Sequence, residues 1–241
     1  MNNFAVLAIG EIQRMKKYNI LGASLFVAIL WVGMLYFIDT PSIGSMFPLL
    51  LFIDATSMPM LLIGATMFFE KQEGVTKTLL VSPITKGEYI LSKTFANILS
   101  SITSLIIMYA YVKIFKEIDI NFLGLLGAIV LISFFHSLIG FILTYYSKDF
   151  NSLLMGMMKY AFVVMIPVLL EEIGIIKIDI LSKILYILPT KASMILLNAS
   201  SSGIESWEIY FSLGYMIVAS ALLYLVVSKK FNEFAIKESG V

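Results

Sequence analysis

Three ionisable side chains stand inside long apolar runs of this 241-residue chain: Asp54, His136 and Lys159. Such groups are costly in hydrocarbon and usually face a bundle interior or a wet cavity, where they serve relays and solute paths. Asp54 stands five residues ahead of Pro59, where a kink would free backbone carbonyls. His136, followed by Ser137, is also placed to hydrogen-bond a neighbouring helix. Lys159 lies near the inner half of its run, within snorkelling reach of the interface. Methionines crowd the same runs, at 58, 60 and 67 beyond Asp54 and at 155, 157, 158 and 165 around Lys159. They make soft faces that suit varied apolar ligands, and they are also ordinary lipid-facing packing.

No catalytic set emerges. Gly74-Val75-Thr76-Lys77-Thr78 looks like the end of a phosphate-binding loop, but the glycine directly before the lysine and the leading strand are missing. Any ATP must then be handled by another polypeptide. Glu171-Glu172 with His136 superficially matches intramembrane CAAX-type proteases. Those need an arginine four residues after the second glutamate and an asparagine four after a histidine. Here Lys177 is the nearest basic residue after the pair and Gly140 occupies the asparagine position. One histidine and no cysteine argue against a buried metal site, a disulfide or a redox switch. The expectation is a chain that is not an enzyme and carries no cofactor.

Composition says what holds these residues in place. Apolar residues make up 59% and charged residues 14%, where a soluble domain carries about 25% charged. The solvent must be lipid. A span needs roughly 20 apolar residues, and six segments qualify: 19–38, 47–69, 94–114, 122–146, 153–170 and 209–227. Each must be a helix, because backbone groups in hydrocarbon pair within their own segment. The first is too long for a signal peptide and reads as a retained span. Net charge near zero argues against a nucleic-acid partner.

Lysine bias sets an orientation. An inside amino terminus places Arg14, Lys16, Lys17, Lys71, Lys77, Lys86, Lys93, Lys148, Lys229, Lys230 and Lys237 in the cytoplasm, against Lys113, Lys116, Lys177, Lys183 and Lys191 outside. Both termini are expected in the cytoplasm of a multi-pass plasma-membrane protein. Sixteen lysines against one arginine suggest an AT-rich, bacterial genome.

Residues 1–18 form an interfacial helix in projection, with Phe4, Ala5, Ala8, Ile9, Ile12 and Met15 on one side and Gln13, Arg14 and Lys17 opposite. Residues 70–93 form a charged island longer than a connector needs. Residues 72–81 can make a short helix ending before Pro83, since the residue before proline leaves the α region. A second helix starts at Thr85: Thr85 and Glu88 have capping-box spacing, with Ile84 and Tyr89 at the staple positions. The elbow at Ser82-Pro83 could carry force from a soluble partner into the membrane. In the 171–208 segment, two apolar stretches too short to span flank Pro189, which suggests a re-entrant or interfacial hairpin. Ser200-Ser201-Ser202-Gly203 then turns toward Trp207, an interface anchor.

Glu70, Glu73, Gly74, Thr76, Leu79, Leu80, Ser82, Pro83 and Lys93, in this order just after the second span, resemble the cytoplasmic loop of ABC-2 family permeases of ATP-binding-cassette transporters. Val75 separates Gly74 from Thr76, a small shift in local register. With the interfacial stretch, six spans and the proline-broken hairpin, the resemblance covers nearly the whole chain. It is nearest to permeases of drug or antimicrobial-peptide exporters, including fluoroquinolone exporters. It implies one all-α membrane domain over 1–241, of the type V exporter kind, with a coupling helix after span two.

The resemblance further implies a second permease chain, identical or related, and two ATPase subunits that bind ATP and magnesium. Glu70, Glu73, Gly74, Thr76, Lys77, Leu79, Leu80, Ser82 and Pro83 would form the ATPase-coupling surface. Spans two and five would line the path or dimer seam, with Asp54, Met58, Pro59, His136, Met155, Met158 and Lys159. An ATP-driven exporter of a hydrophobic drug, peptide or lipid-like substrate is the reading. The alternatives are a non-transporting immunity or scaffold protein of the same fold, or an ion-coupled carrier using Asp54 and Lys159, although no inverted repeat is visible.

Overall fold

A computed structural model describes residues 3–75, 82–117, 120–201 and 203–239. Among the described residues the secondary structure is helical, with no strand. Helix α1 (Asn3–Lys17) turns at Asn19, whose left-handed backbone (φ 56°) asparagine tolerates, into α2 (Ile20–Phe37). Then follow α3 (Thr40–Gln72), α4 (Lys86–Phe115), α5 (Phe122–Tyr146) and α6 (Phe150–Tyr160). A π turn (Ala161–Met165) joins α6 to α7 (Ile166–Glu172), and α8 (Asp179–Leu185), α9 (Pro189–Asn198) and α10 (Ser206–Ser239) complete the chain. Among the described residues six helices are long and apolar enough to cross a membrane: α2, α3, α4, α5, α6–α7 taken together, and Ser206–Phe231 of α10. The helices overrun the apolar windows at several ends, most of all in α3.

The spans are unequally covered. In α3, 67% of the apolar window is buried inside the chain and in α5 61%, against 17% in α2 and 17% in α6–α7. Helices α3 and α5 are therefore the central pair and the others form the rim. Gly140 sets their spacing: a Cβ there would lie 2.9 Å from the Met60 Cα and 3.0 Å from its carbonyl oxygen. Close backbone approach through a small residue is the usual way membrane helices gain packing without a hydrophobic driving force. Asn97 of α4 ties the pair further, donating to the Pro59 carbonyl at 3.0 Å and to Ser137 at 3.3 Å. The main core lies around Phe47, Phe52, Leu105, Ile132 and Phe135, and a second cluster at the 70–93 end gathers Ile63, Tyr89, Phe141 and Phe231.

At the opposite end, Lys116 donates to the Ile38 carbonyl at 2.8 Å and the Asn121 amide to the Ser200 carbonyl at 3.1 Å. Helices α8 and α9 meet here at 97°. The sequence places the break at Pro189, whereas in the structure Pro189 is the first residue of α9 and residues 186–188 make the bend. Proline is tolerated at that position because its missing N–H would be unpaired anyway. Thr190 just behind it hydrogen-bonds the Val164 carbonyl in the π turn. Lys191 pairs with Glu171 at 2.7 Å and Asn198 donates to Glu172 at 2.8 Å. The glutamate pair is thus occupied in anchoring α9 to α7.

The α3–α5 contact gives a stability test. Gly140→Ala forces two backbones apart and is expected to cost about 1–3 kcal/mol, read as a lower midpoint of thermal unfolding in detergent. Gly127→Ala, with open space where its Cβ would go, is expected to hold or raise the midpoint, because alanine is the better helix former.

Candidate functional site

Both roots of the 70–93 segment are fixed by one group of buried charges. Glu70 lies in the last turn of α3, Lys93 is two turns into α4, and Glu11 with Arg14 come from α1. Lys93 Nζ lies 2.9 Å from Glu11 Oε2 and 2.8 Å from Glu70 Oε1. Arg14 spans the same two acids, Nη2 to Glu11 Oε1 at 2.6 Å and Nη1 to Glu70 Oε1 at 2.7 Å. The Tyr89 hydroxyl donates to Glu70 Oε2 at 2.7 Å, and the Lys93 ammonium sits 5.1 Å from the Tyr89 ring centre. Helical spacing makes this possible: Glu11 and Arg14 are three apart, Tyr89 and Lys93 four apart, so each pair shares a face.

Glu11, Glu70 and Lys93 are each 1% exposed. Two acids and two bases cancel, so no charge is left unpaired in the packed junction, which is the condition for burying ions at all. Burial pushes the Glu11 carboxyl above the usual glutamate range, with Lys93 pulling it back. Burial opposes the charge on Arg14, and Glu70 and Glu11 outweigh it, holding the guanidinium above its usual range. A second, exposed strap runs alongside: Lys17 pairs with Glu73 at 2.6 Å, which holds the Glu73 carboxyl below its usual range, and Tyr18 stacks on Phe69 at 4.3 Å.

The segment itself is partly described. Gln72 belongs to α3 instead of opening a new helix, and the chain turns at Glu73 and Gly74, whose φ of 71° favours glycine. Thr76, Lys77, Leu79 and Leu80 lie outside the described residues, as does most of the helix expected over 72–81. After the bend at Ser82 and Pro83, the Ile84 amide lies 3.4 Å from the Ser82 hydroxyl. The capping box is present as read: the Glu88 amide donates to Thr85 Oγ1 at 3.2 Å and the Thr85 amide to Glu88 Oε2 at 2.8 Å. Ile84 packs on the cluster that contains Tyr89.

The intramembrane residues separate into two groups. Asp54 is buried between α2 and α3, where Trp31 Nε1 donates to its carboxylate at 2.9 Å. His136 is fully buried, its Nδ1 2.9 Å from the Ile132 carbonyl and its Nε2 3.2 Å from the Tyr160 hydroxyl. A proton on Nδ1 satisfies the carbonyl and leaves Nε2 to accept from Tyr160, tying α5 to α6 beside the π turn. Pro59 is buried and Met58 half-buried. Met155, Met158 and Lys159 are exposed on α6. The structure therefore does not bring Asp54 and Lys159 to one face.

Glu11 is the residue that sequence reasoning missed. Projection of α1 puts Phe4, Ala5, Ala8, Ile9, Ile12 and Met15 on one side; Ala8 and Met15 are buried as that side implies, Ile9 is exposed, and Glu11, which the projection did not place, is buried with them. The available signal was an acid three residues before the only arginine, in a helix otherwise short of acids.

The cluster predicts a large asymmetry between single and double substitution. Lys93→Met leaves two buried carboxylates on one cation and is expected to cost about 3–5 kcal/mol, seen as lost yield and a lower unfolding midpoint in detergent. Glu11→Leu combined with Lys93→Met leaves Arg14 paired with Glu70 and is expected to recover most of that loss.

A family model for the fluoroquinolones export permease protein family matches residues 4–239. Among curated proteins, the chain is similar to the fluoroquinolones export permease protein of Mycobacterium tuberculosis in two strains, CDC 1551 and H37Rv. Each is 23% identical over 233 residues, covering 96% of this chain and 95% of the relative. With six membrane-length helices and a match over almost its whole length, the chain belongs to the fluoroquinolones export permease protein family.

Proposed function

We propose that this chain is the membrane-spanning subunit of an ATP-driven exporter, working with separate ATPase subunits that bind ATP and magnesium and with a second permease chain. The observation that carries the reading is the buried charge cluster. It ties α1, the end of α3 and the start of α4 into one block at the base of the 70–93 segment. A partner pushing on that segment would move spans two and three together with α1, instead of bending a loose loop. Residues 72–83 are the docking surface in this reading, with Glu73, Gly74, Thr76, Lys77, Leu79, Leu80, Ser82 and Pro83 at its centre.

The orientation follows the lysine bias, with α1, 70–93 and the carboxyl end cytoplasmic. Nucleotide-driven closure of the ATPases does work only if the two membrane states differ in affinity for the closed ATPase dimer. The Mycobacterium tuberculosis relatives, named as fluoroquinolones export permeases, suggest an apolar drug of that kind as the cargo.

Co-purification from the native membrane tests this directly, with a tag at Val241 and the variants Gly74→Pro and Leu79→Asp. The parent is expected to bring down an ATPase subunit and both variants to lose it by about tenfold or more, while keeping the parent's unfolding midpoint. A parent that brings down no nucleotide-binding protein would overturn the docking surface.

A further inference from the structure

Asp54 is a buried acid with no cation beside it. Its side chain is 5% exposed, and the Trp31 indole donates to the carboxylate at 2.9 Å. The Ser104 hydroxyl of α4 lies next to it without completing a hydrogen bond. No basic side chain pairs with Asp54 among the described residues. Helix α2 carries no charged residue, and His136 of α5 has both ring nitrogens occupied, by Ile132 and Tyr160. On α4, Lys93 is eleven residues before Ser104 and held by Glu11 and Glu70, and Lys113 is nine residues after it. On α3, Lys71 is seventeen residues beyond Asp54. At 1.5 Å per residue each of these lysines is about 13 Å or more away along its helix. A carboxylate so enclosed needs a proton or a cation from outside the chain.

Three hydroxyls in the same interface also lack a partner among the described residues: Ser101 and Ser104, each 4% exposed, and Ser133, 0% exposed. Ser101 and Ser104 share the face of α4 that carries Asn97, at helical spacings. Asn97 lies 3.3 Å from Ser137 of α5. One turn further along this antiparallel pair, Ser101 stands opposite Ser133. Pro59 has no N–H to give the Ala55 carbonyl, so a backbone oxygen in the turn after Asp54 loses its helical partner. A proton on Asp54 would cancel its charge and leave the three hydroxyls stranded, although buried polar atoms are rarely left unpaired. A small cation answers both needs, because carboxylate, hydroxyl and carbonyl oxygens are the ligands that hard cations take. One acid matches one positive charge.

We propose that Asp54, Ser101, Ser104 and Ser133 form a site for one small monovalent cation of sodium's kind. The ion holds α3, α4 and α5 together at the level where Trp31 ties α2 to the same carboxylate. Asp54 is then an interior ligand and not part of a solute path, and the site does not rest on the exporter reading. A cation that binds only this arrangement favours it over any in which the helices part, so helix packing becomes coupled to ion concentration.

The test uses the full chain in neutral-lipid nanodiscs at fixed pH and ionic strength, with sodium exchanged for choline, which is too bulky to enter. The unfolding midpoint of the parent is expected to rise with sodium concentration, and radioactive sodium to bind to it. Asp54→Asn removes the charge and keeps an acceptor for Trp31. It is expected to lose the sodium response while unfolding at or above the parent's midpoint in choline. Ser104→Ala keeps the acid and should weaken sodium binding by roughly tenfold, the value of one charge-assisted contact, so the site is read even where Asp54→Asn does not fold. A parent midpoint that is equal in sodium and choline would overturn the proposal. So would a sodium response that survives in Asp54→Asn or is unchanged in Ser104→Ala. A midpoint that follows pH and ignores sodium would overturn it as well, giving Asp54 a proton in place of the ion.

Discussion

Charge neutrality inside a dry junction is the constraint on which the rest of this molecule is hung. Glu11, Arg14, Glu70 and Lys93 come from three helices and share four ion pairs among four groups, so none can leave without weakening the pairing of another. Removing one partner from such a set is far more damaging than replacing the set with apolar side chains. The arrangement therefore gives little net stability for its size, and what it specifies is geometry. It states which turn of α1 lies against which turn of α3 and α4, a register that methionines and leucines alone would leave loosely defined.

The same economy runs through the bundle. Water is absent from the hydrocarbon, and three polar side chains serve there as cross-ties: Asn97 between α3 and α5, His136 between α5 and α6, Thr190 between α9 and the π turn. Two of the ties, from Asn97 and His136, meet the central pair α3 and α5.

What could be read from the residues followed the range of the physics involved. A twenty-residue apolar run decides a span by itself, and Thr85 with Glu88 decides a helix start within four positions, so both were legible. The partner of Glu11 is Lys93, 82 positions away, and no local period announces it. Projection of α1 found the side that carries Ala8 and Met15 but not Glu11, because apolar periodicity says nothing of a buried acid whose cation comes from another helix. Pro189 was visible as punctuation, but whether it breaks a helix or begins one depends on the three residues before it.

The π turn in span five has a consequence of its own. An α-helix advances about 100° per residue, so Leu153 and Met165, twelve positions apart, would point about 120° away from each other in an unbroken helix. Both are buried against the rest of the chain, together with Val168. One surplus residue in the wide turn takes up about 100° of that difference and returns the far half of the span to the azimuth of the near half. The turn is a phase correction. It lets one uninterrupted rod keep a single inward side across both leaflets, and so keeps the side bearing Lys159 turned outward.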